Sequence, residues 1–268
     1  MRRQYRWLWI LLIACAGWSL GLSVQPARSE GYRFAIGTEP SFSSGNYGTG
    51  SNIDITYVPL ILEFYPSERL RLTGELPWVR QTSSEFTAVG GMGMFLHVQG
   101  GNFQTMNVES GPGDILFRGE YTLLPETADT PALIVAGDLK IPTADESTGL
   151  GTGKWDTGLA VELGKTIGES YVYGRIGYTF LGGRKGLGLD NPFHFEGGIG
   201  HNITSRLSLN AFLEGSTAID NSFDAPLSTG INGDYQLRSD LSLTGYFQLG
   251  LSDGSPDYGL GIGFLQKF

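Results

Sequence analysis

From about Tyr32 to the last residue, the chain alternates apolar and polar positions with a period of two, in blocks of ten to twelve residues. Successive side chains of a β-strand point to opposite faces, so this period predicts strands. Twelve such blocks are present: Phe34–Ser44, Ile53–Tyr65, Leu70–Gln81, Asp114–Leu124, Ala132–Pro142, Trp155–Ile167, Tyr171–Leu181, Phe193–Ile203, Leu207–Ser216, Leu227–Leu237, Leu241–Leu251 and Tyr258–Phe268. In the ninth block Leu207, Leu209, Ala211 and Leu213 share one face, and Ser208, Asn210 and Glu214 the other, with Phe212. In the eleventh, Leu241, Leu243, Phe247, Leu249 and Leu251 oppose Ser242, Thr244, Tyr246 and Gln248. Each ribbon therefore meets an apolar medium on one side and a polar one on the other.

A soluble sandwich satisfies that pattern with its apolar face inward, and a membrane barrel with its apolar face outward. The connections favour the barrel, because short and long ones alternate. Residues 66–69, 125–131, 168–170, 204–206 and 238–240 are short, while 82–113, 143–154, 182–192, 217–226 and 252–257 are longer. Outer-membrane barrels have short periplasmic turns and longer external loops, and an even strand number puts both chain ends on one side. The expected fold is an all-β, up-and-down antiparallel transmembrane β-barrel of about 12 strands. Arg71, Glu75, Arg118, Glu120, Asp138, Lys140, Glu162, Arg175, Glu196, Glu214 and Asp234 then all fall on the polar face. A charge facing lipid near mid-membrane costs about 2–4 kcal/mol for Arg or Lys, so that face is the lumen. Opposite charges there can pair and narrow or plug it.

The start of the chain has a different pattern. Arg2, Arg3 and Arg6 precede an apolar run, Trp7 to Val24, and small residues lie around Ala27 and Ser29. That order predicts a secretory signal peptide over 1–29, with residues 30–268 forming the exported barrel. Leu12-Ile13-Ala14-Cys15 offers an alternative, a lipoprotein box with Cys15 lipidated. Removal of 1–29 takes away the lone cysteine, and with it any disulfide or thiolate metal site. It leaves 14 basic against 27 acidic residues, a net charge of −13. So acidic a chain is a poor ligand for nucleic acid. Gly is abundant, at 41 residues, which suits a barrel of many short segments better than a helical enzyme.

Several motifs bear on chemistry. Glu85–Ser110 is glycine-rich yet carries Met92, Met94, Phe95, His97, Phe103 and Met106. It reads as a mouth loop within an external connection at about 82–113, either lending apolar solutes an adaptable surface or packing on the rim. Thr148–Lys154 looks superficially like a phosphate loop, but lacks the first glycine and the hydroxyl after the lysine, and reads as a flexible hairpin loop. His194 and His201 lie seven apart, on opposite strand faces, which is poor metal geometry. His194 shares the inner face with Glu196. Barrel phospholipases place Ser, His and Asn on the outer wall, and the pairing available here, His201 with Ser216 or Ser208, is unsupported by any His-x-Ser cluster. No catalytic, cofactor-binding or metal residue is assigned. Asn202-Ile203-Thr204 matches a glycosylation pattern by accident. The closing alternation of Tyr258, Leu260, Ile262, Phe264 and Phe268 resembles the C-terminal signal read by the barrel-assembly machinery, with Gln266 departing from it.

Leu139–Thr143, Leu150–Gly153 and Asp156-Thr157-Gly158 together resemble the outer-membrane transporters of the MetA-pathway of phenol degradation family. Gly113-Asp114, Tyr121, Leu124-Pro125, Gly177-Tyr178-Thr179 and Ser255–Tyr258 add to the resemblance, with weaker echoes at Leu76-Pro77 and Ser44–Gly48. It implies an outer-membrane barrel with a role in uptake of small and often aromatic compounds; the expected protein is not an enzyme, and solutes are expected to enter passively from outside through the loop-lined mouth. It carries over no binding residues. The lumen residues singled out on polarity are Arg118, Glu162, Tyr173, Arg175, Glu196 and Tyr246. The alternatives are a plugged structural or surface-interaction barrel, an outer-membrane lipid hydrolase and a soluble β-sandwich. The last of these would set Leu209, Leu243 and Ile262 across a dry centre.

Overall fold

The computed structural model describes residues 31–47, 52–82, 108–182, 189–220 and 224–268, and the backbone of 86–89 and 94–97. The signal segment, Cys15, Met92, Phe103 and Met106 lie outside the described residues.

Sixteen strands are described: β1 Phe34–Thr38, β2 Ser41–Gly45, β3 Ile53–Ser67, β4 Leu70–Gln81, β5 Phe86–Val89, β6 Met94–His97, β7 Glu109–Pro112, β8 Ile115–Leu124, β9 Ala132–Ile141, β10 Asp156–Ile167, β11 Ser170–Phe180, β12 Phe193–Asn202, β13 Leu207–Ser216, β14 Leu227–Arg238, β15 Leu241–Gly250 and β16 Tyr258–Lys267. β1 and β2 are two halves of one wall strand, broken at Glu39-Pro40, because both pair with β3 on one side and β16 on the other. β7 and β8 are likewise halves of one strand, both paired with β4. The wall is therefore a closed antiparallel barrel of twelve strands, each joined to its chain neighbour and the last to the first. Closure leaves no edge, which a sheet in hydrocarbon requires. The first and last wall strands meet at the short-turn rim, where the Phe268 N–H donates to the Phe34 carbonyl at 2.8 Å.

The observed strands track the alternating blocks to within a few residues, except at the long connection. Glu109–Pro112, placed by the sequence pattern in the external loop, is wall. Its four residues, Glu-Ser-Gly-Pro, show no alternation, and pairing with Trp78–Gln81 supplies what local pattern does not. β5 and β6 form a separate two-stranded hairpin within the same connection.

Sidedness follows from exposure. Leu209, Leu243 and Ile262 are exposed, Ile262 at 72%, whereas Glu75, Arg118, Glu120, Lys140, Glu162 and Arg175 are buried. The apolar face is thus outward, and the two-sheet sandwich is excluded. Outward aromatics gather toward both rims. Phe34, Phe64, Tyr121, Tyr235, Phe264 and Phe268 lie at the short-turn end, and Trp155, Tyr178, Phe180, Phe193 and Tyr258 at the other. Phe34 and Phe64 stack with ring centroids 4.9 Å apart, and Tyr178 and Phe180 meet edge-on at 5.0 Å. Such girdles sit at the two water–lipid boundaries.

Inner glycines accept inner tyrosines. A Cβ on Gly164 would overlap the Tyr171 hydroxyl, and one on Gly198 would lie 2.6 Å from the Tyr173 ring. One on Gly261 would lie 2.4 Å from Tyr246. Each ring covers a neighbouring strand's bare backbone, the aromatic covering of glycine seen in curved sheets.

Candidate functional site

The candidate site is the lumen. A charged belt crosses its β4–β12 side. Arg71 on β4 donates through Nε to Glu120 on β8 at 2.7 Å. Arg118 on β8 bonds Asp138 on β9 at 2.6 Å. Arg175 on β11 reaches Glu120 at 3.4 Å and Glu162 on β10 at 3.7 Å. The Tyr57 hydroxyl donates to Glu75 at 2.9 Å. All these side chains share the inner face because their strands alternate in phase, and antiparallel register sets Arg118 opposite Asp138 and Glu162 opposite Arg175. Tyr173 and Glu196 extend the belt: the Tyr173 hydroxyl donates to Glu196 at 2.6 Å and accepts from Asn210 Nδ2 at 3.2 Å.

Beside the belt lies an aromatic patch in which Tyr171, Tyr173 and Phe212 pack together with Tyr246 against them. The structure thus brings all six sequence-assigned lumen residues onto the inner face. Five of them, Arg118, Glu162, Tyr173, Arg175 and Glu196, belong to the belt, and Tyr246 to the aromatic patch. His194 is also inward and pairs through Nε2 with the Thr179 hydroxyl at 3.1 Å. His201 is instead at the short-turn rim, its Nδ1 2.9 Å from the Ser170 hydroxyl, and neither Ser208 nor Ser216 lies opposite it.

Part of the expected mouth loop is described. Met94, Phe95 and His97 lie on β6, in the hairpin outside the wall sheet. Among the described residues, the β9–β10 connection, 142–155, folds into the mouth. Its Leu150 is 2% exposed and packs with Tyr47, Ile53, Ile55 and Val79, with Tyr57 and Ala144 at the margin. The Thr148–Lys154 stretch is therefore pinned to the inner wall rather than a flexible loop. Asp145 caps its single 3-10 turn, Glu146–Thr148, and Gly149 ends the turn at φ 71°. Gly149's carbonyl then accepts from Gln81 Nε2 at 3.1 Å.

The anchor of this loop is Lys140, at the end of β9. Its ammonium bonds Asp114 at 3.0 Å, Asp156 at 2.9 Å and the Thr152 hydroxyl at 2.6 Å. The lysine and aspartate side chains are at most 2% exposed. Asp114 also accepts from the Ala144 N–H at 3.0 Å, and Asp156 from the Gly182 N–H at 2.8 Å. Asp114 reaches this position through a β-bulge: Gly113, Asp114 and Ile115 stand opposite only Leu76 and Pro77, between the β7 and β8 pairings. Lys140 and its two aspartates stand in sequence as separate fragments, and only the bulge and the loop join them.

A match to a family model covers residues 42–268. The chain belongs to the MetA-pathway of phenol degradation family. Among solved structures it is similar to the COG4313 outer membrane channel from Pseudomonas putida F1, at 14% identity and TM-score 0.64, over 88% of this chain and 96% of that one. It also resembles the KdgM porin in complex with disordered oligogalacturonate, at 9% identity and TM-score 0.53, over 87% and 99%. The translocator domain of the autotransporter NalP from Neisseria meningitidis aligns at 10% identity and TM-score 0.53, over 90% and 91%. At these identities the likeness establishes the outer-membrane barrel fold. No curated protein matches the sequence. Phenol-family membership fits the Leu139–Thr143 and Leu150–Gly153 fragments, which here form the anchor strand and the pinned loop.

Proposed function

We propose that this family member is an outer-membrane channel that passes small solutes, aromatic ones among them, passively. The observation that carries the reading is a polar, mostly acidic inner face enclosed by an apolar wall, with a dedicated loop folded into one mouth. An acidic lumen favours cations and neutral solutes over anions. An aromatic patch of Tyr171, Tyr173, Phe212 and Tyr246 gives a ring-shaped solute a surface on which to pause. The loop at 142–155 is the constriction, and the charged belt is the layer beneath it.

The protein is read as a non-enzyme. The pair of Ser170 and His201 sits at the rim and lacks any supporting motif in the sequence. Outer-membrane lipid is the expected partner of the apolar wall, and the barrel-assembly machinery that of the strand ending at Phe268. The signal segment 1–29 is the expected export device.

Purified protein in planar bilayers tests the reading. Discrete conductance steps are expected, with cations passing more readily than anions, and removal of residues 146–151 should enlarge the steps. Silent bilayers for both forms would leave the channel reading without support. A second reading, a plugged structural barrel, is favoured by one observation: Glu75, Arg175 and Thr179 are almost inaccessible, at 3%, 5% and 0%. That reading expects silence from the intact chain and from the loop deletion alike.

A further inference from the structure

The inner face of the barrel is divided by charge. On the β4–β11 side each inward arginine meets a carboxylate, as Arg71 meets Glu120, Arg118 meets Asp138 and Arg175 meets Glu162. On the β13–β16 side, among the described residues, Glu214 and Asp234 share the inner face with no lysine or arginine between the rims. The basic residues of those strands, Arg238 and Lys267, stand at their short-turn ends. Glu39 joins this side from the break between β1 and β2. Its stem lies over bare Gly263, where a Cβ would come 2.8 Å from Glu39 Cβ. The Thr244 hydroxyl donates to Glu39, and Asp234 lies close enough to Glu39 to repel it.

At the centre of this side two acceptors lack donors. Asn210 on β13 and Asn232 on β14 are directly opposed, and Tyr246 on β15 is next in the same row. The two asparagines are 4% and 8% exposed, and the Oδ1 of each has no hydrogen-bond partner. Buried polar atoms in folded proteins are nearly always paired, so two orphans side by side point to a ligand that brings the donors. The orientation of Asn210 is fixed by its neighbours. The Tyr173 hydroxyl has one proton and gives it to Glu196, so it can only accept from Asn210 Nδ2, which turns Oδ1 away. Phe212, two residues along the same face toward the mouth, packs with Tyr173, and Tyr246 packs against that cluster. Asp234, two residues from Asn232 toward the short-turn rim, stands opposite Thr244. The amide oxygens thus have aromatic rings toward the mouth and carboxylates toward the rim.

We propose that Asn210, Asn232 and Asp234 form a luminal binding site for a primary ammonium group carried on a small apolar skeleton, as in an arylalkylamine. Three features select this chemistry. The orphaned atoms are acceptors, so the ligand must bring N–H or O–H donors. The charge around them is negative with no local cation, so a positive donor gains and an anion is repelled. Phe212 and Tyr246 offer ring faces to a cation and to a carbon skeleton alike. A neutral alcohol would bring one donor for two oxygens and no charge. A metal ion fits less well, since no group of three carboxylates or histidines among the described residues converges to hold one. As a station on a solute path the site rests on the channel reading; as a binding site it does not.

Isothermal titration calorimetry on the full protein in nonionic micelles tests the site, with uptake by empty micelles subtracted. Phenethylammonium chloride should bind saturably at a single site. Phenethyl alcohol lacks the charge, phenylacetate reverses it, and phenethyltrimethylammonium keeps it but has no N–H. Each should bind about tenfold more weakly or worse, the scale of one hydrogen bond to a charged group. Asn210→Leu and Asn232→Leu should each erase most of the preference for the primary over the trimethyl cation. Asp234→Asn should weaken both cations together. Equal affinity of the primary and trimethyl cations in the unaltered protein would overturn the proposal, because the general field of the lumen would then suffice. That comparison decides even where a variant fails to fold. An unchanged preference in both folded asparagine variants would also overturn it, as would the absence of saturable binding. Displacement of phenethylammonium by equimolar calcium would overturn it too, since the oxygens would then hold a metal. Saturable binding with silent bilayers would remove the channel and keep the site, and conductance without saturable binding would do the reverse.

Discussion

Lys140 shows how much one residue can hold in this barrel. Its ammonium pairs with two carboxylates, so removing it leaves Asp114 and Asp156 buried without their cation. Breaking a buried pair from one side costs about 3–5 kcal/mol. Lys140→Met should therefore lower the temperature at which the folded band converts in a heat-modifiability gel. It should also free the 142–155 loop, read as faster proteolysis near Leu150. Lys140→Met with the unchanged wild-type midpoint would contradict the anchor. At the opposite rim Asp240 offers a pH test. The Gln266 amide, which donates to it at 2.8 Å, and Arg238 hold its carboxyl below the ordinary range. A depressed carboxylate contributes stability above its unfolded value and loses it as pH falls through the folded one. Protection of the Ser239-Asp240 turn amides, taken relative to the intrinsic exchange rate at each pH, should therefore fall on acidification, and Asp240→Asn should show low protection at every pH. An identical response in the variant would remove this role.

At the scale of elements, alternation was legible wherever a strand has lipid on one side and lumen on the other. Leu241–Gly250 and Tyr258–Lys267 were read almost to the residue because Leu243, Phe247, Leu260 and Ile262 had no other medium available. Glu109–Pro112 was missed, since a four-residue half-strand carries too few positions to show a period. The inward fold of 142–155 was missed for a related reason. Leu150 is a lone apolar residue among glycines and threonines, while the 85–110 segment holds many, so composition drew attention to that segment and not to this one. What pins 142–155 is contact over long sequence distance, with Gln81, Asp114 and Val79 all far away in the chain. Leu150→Ser should loosen this packing and raise open-state conductance, measured as single-channel step size, whereas Met94→Ser on β6 should leave the step unchanged. Equal effects from both would return the mouth to the longer loop.

For the whole molecule, the decisive quantity is which face meets lipid. Ile262 and Leu213 are outward, so Ile262→Arg and Leu213→Arg should each cost about 2–4 kcal/mol if they lie near the midplane. Asn232→Ser, on the inner face, should change stability far less. Refolding into vesicles against urea measures all three, and a cost at Asn232 matching that at Ile262 would invert the assigned sidedness. The surplus of inner carboxylates is also a property of the whole barrel. No strand by itself holds it, and closure gathers Glu39, Glu63, Glu196, Glu214 and Asp234 into one volume with few cations.

The sequence by itself determined the strand number, the outward stripe and the identity of the lumen residues, because a period of two exposed to two solvents is a local signal that each strand carries alone. Tertiary structure decided that 142–155 folds inward and how Lys140 gains two aspartates. Those depend on register between strands distant in sequence, and on a one-residue bulge that re-aims Asp114, neither of which leaves a period in the chain.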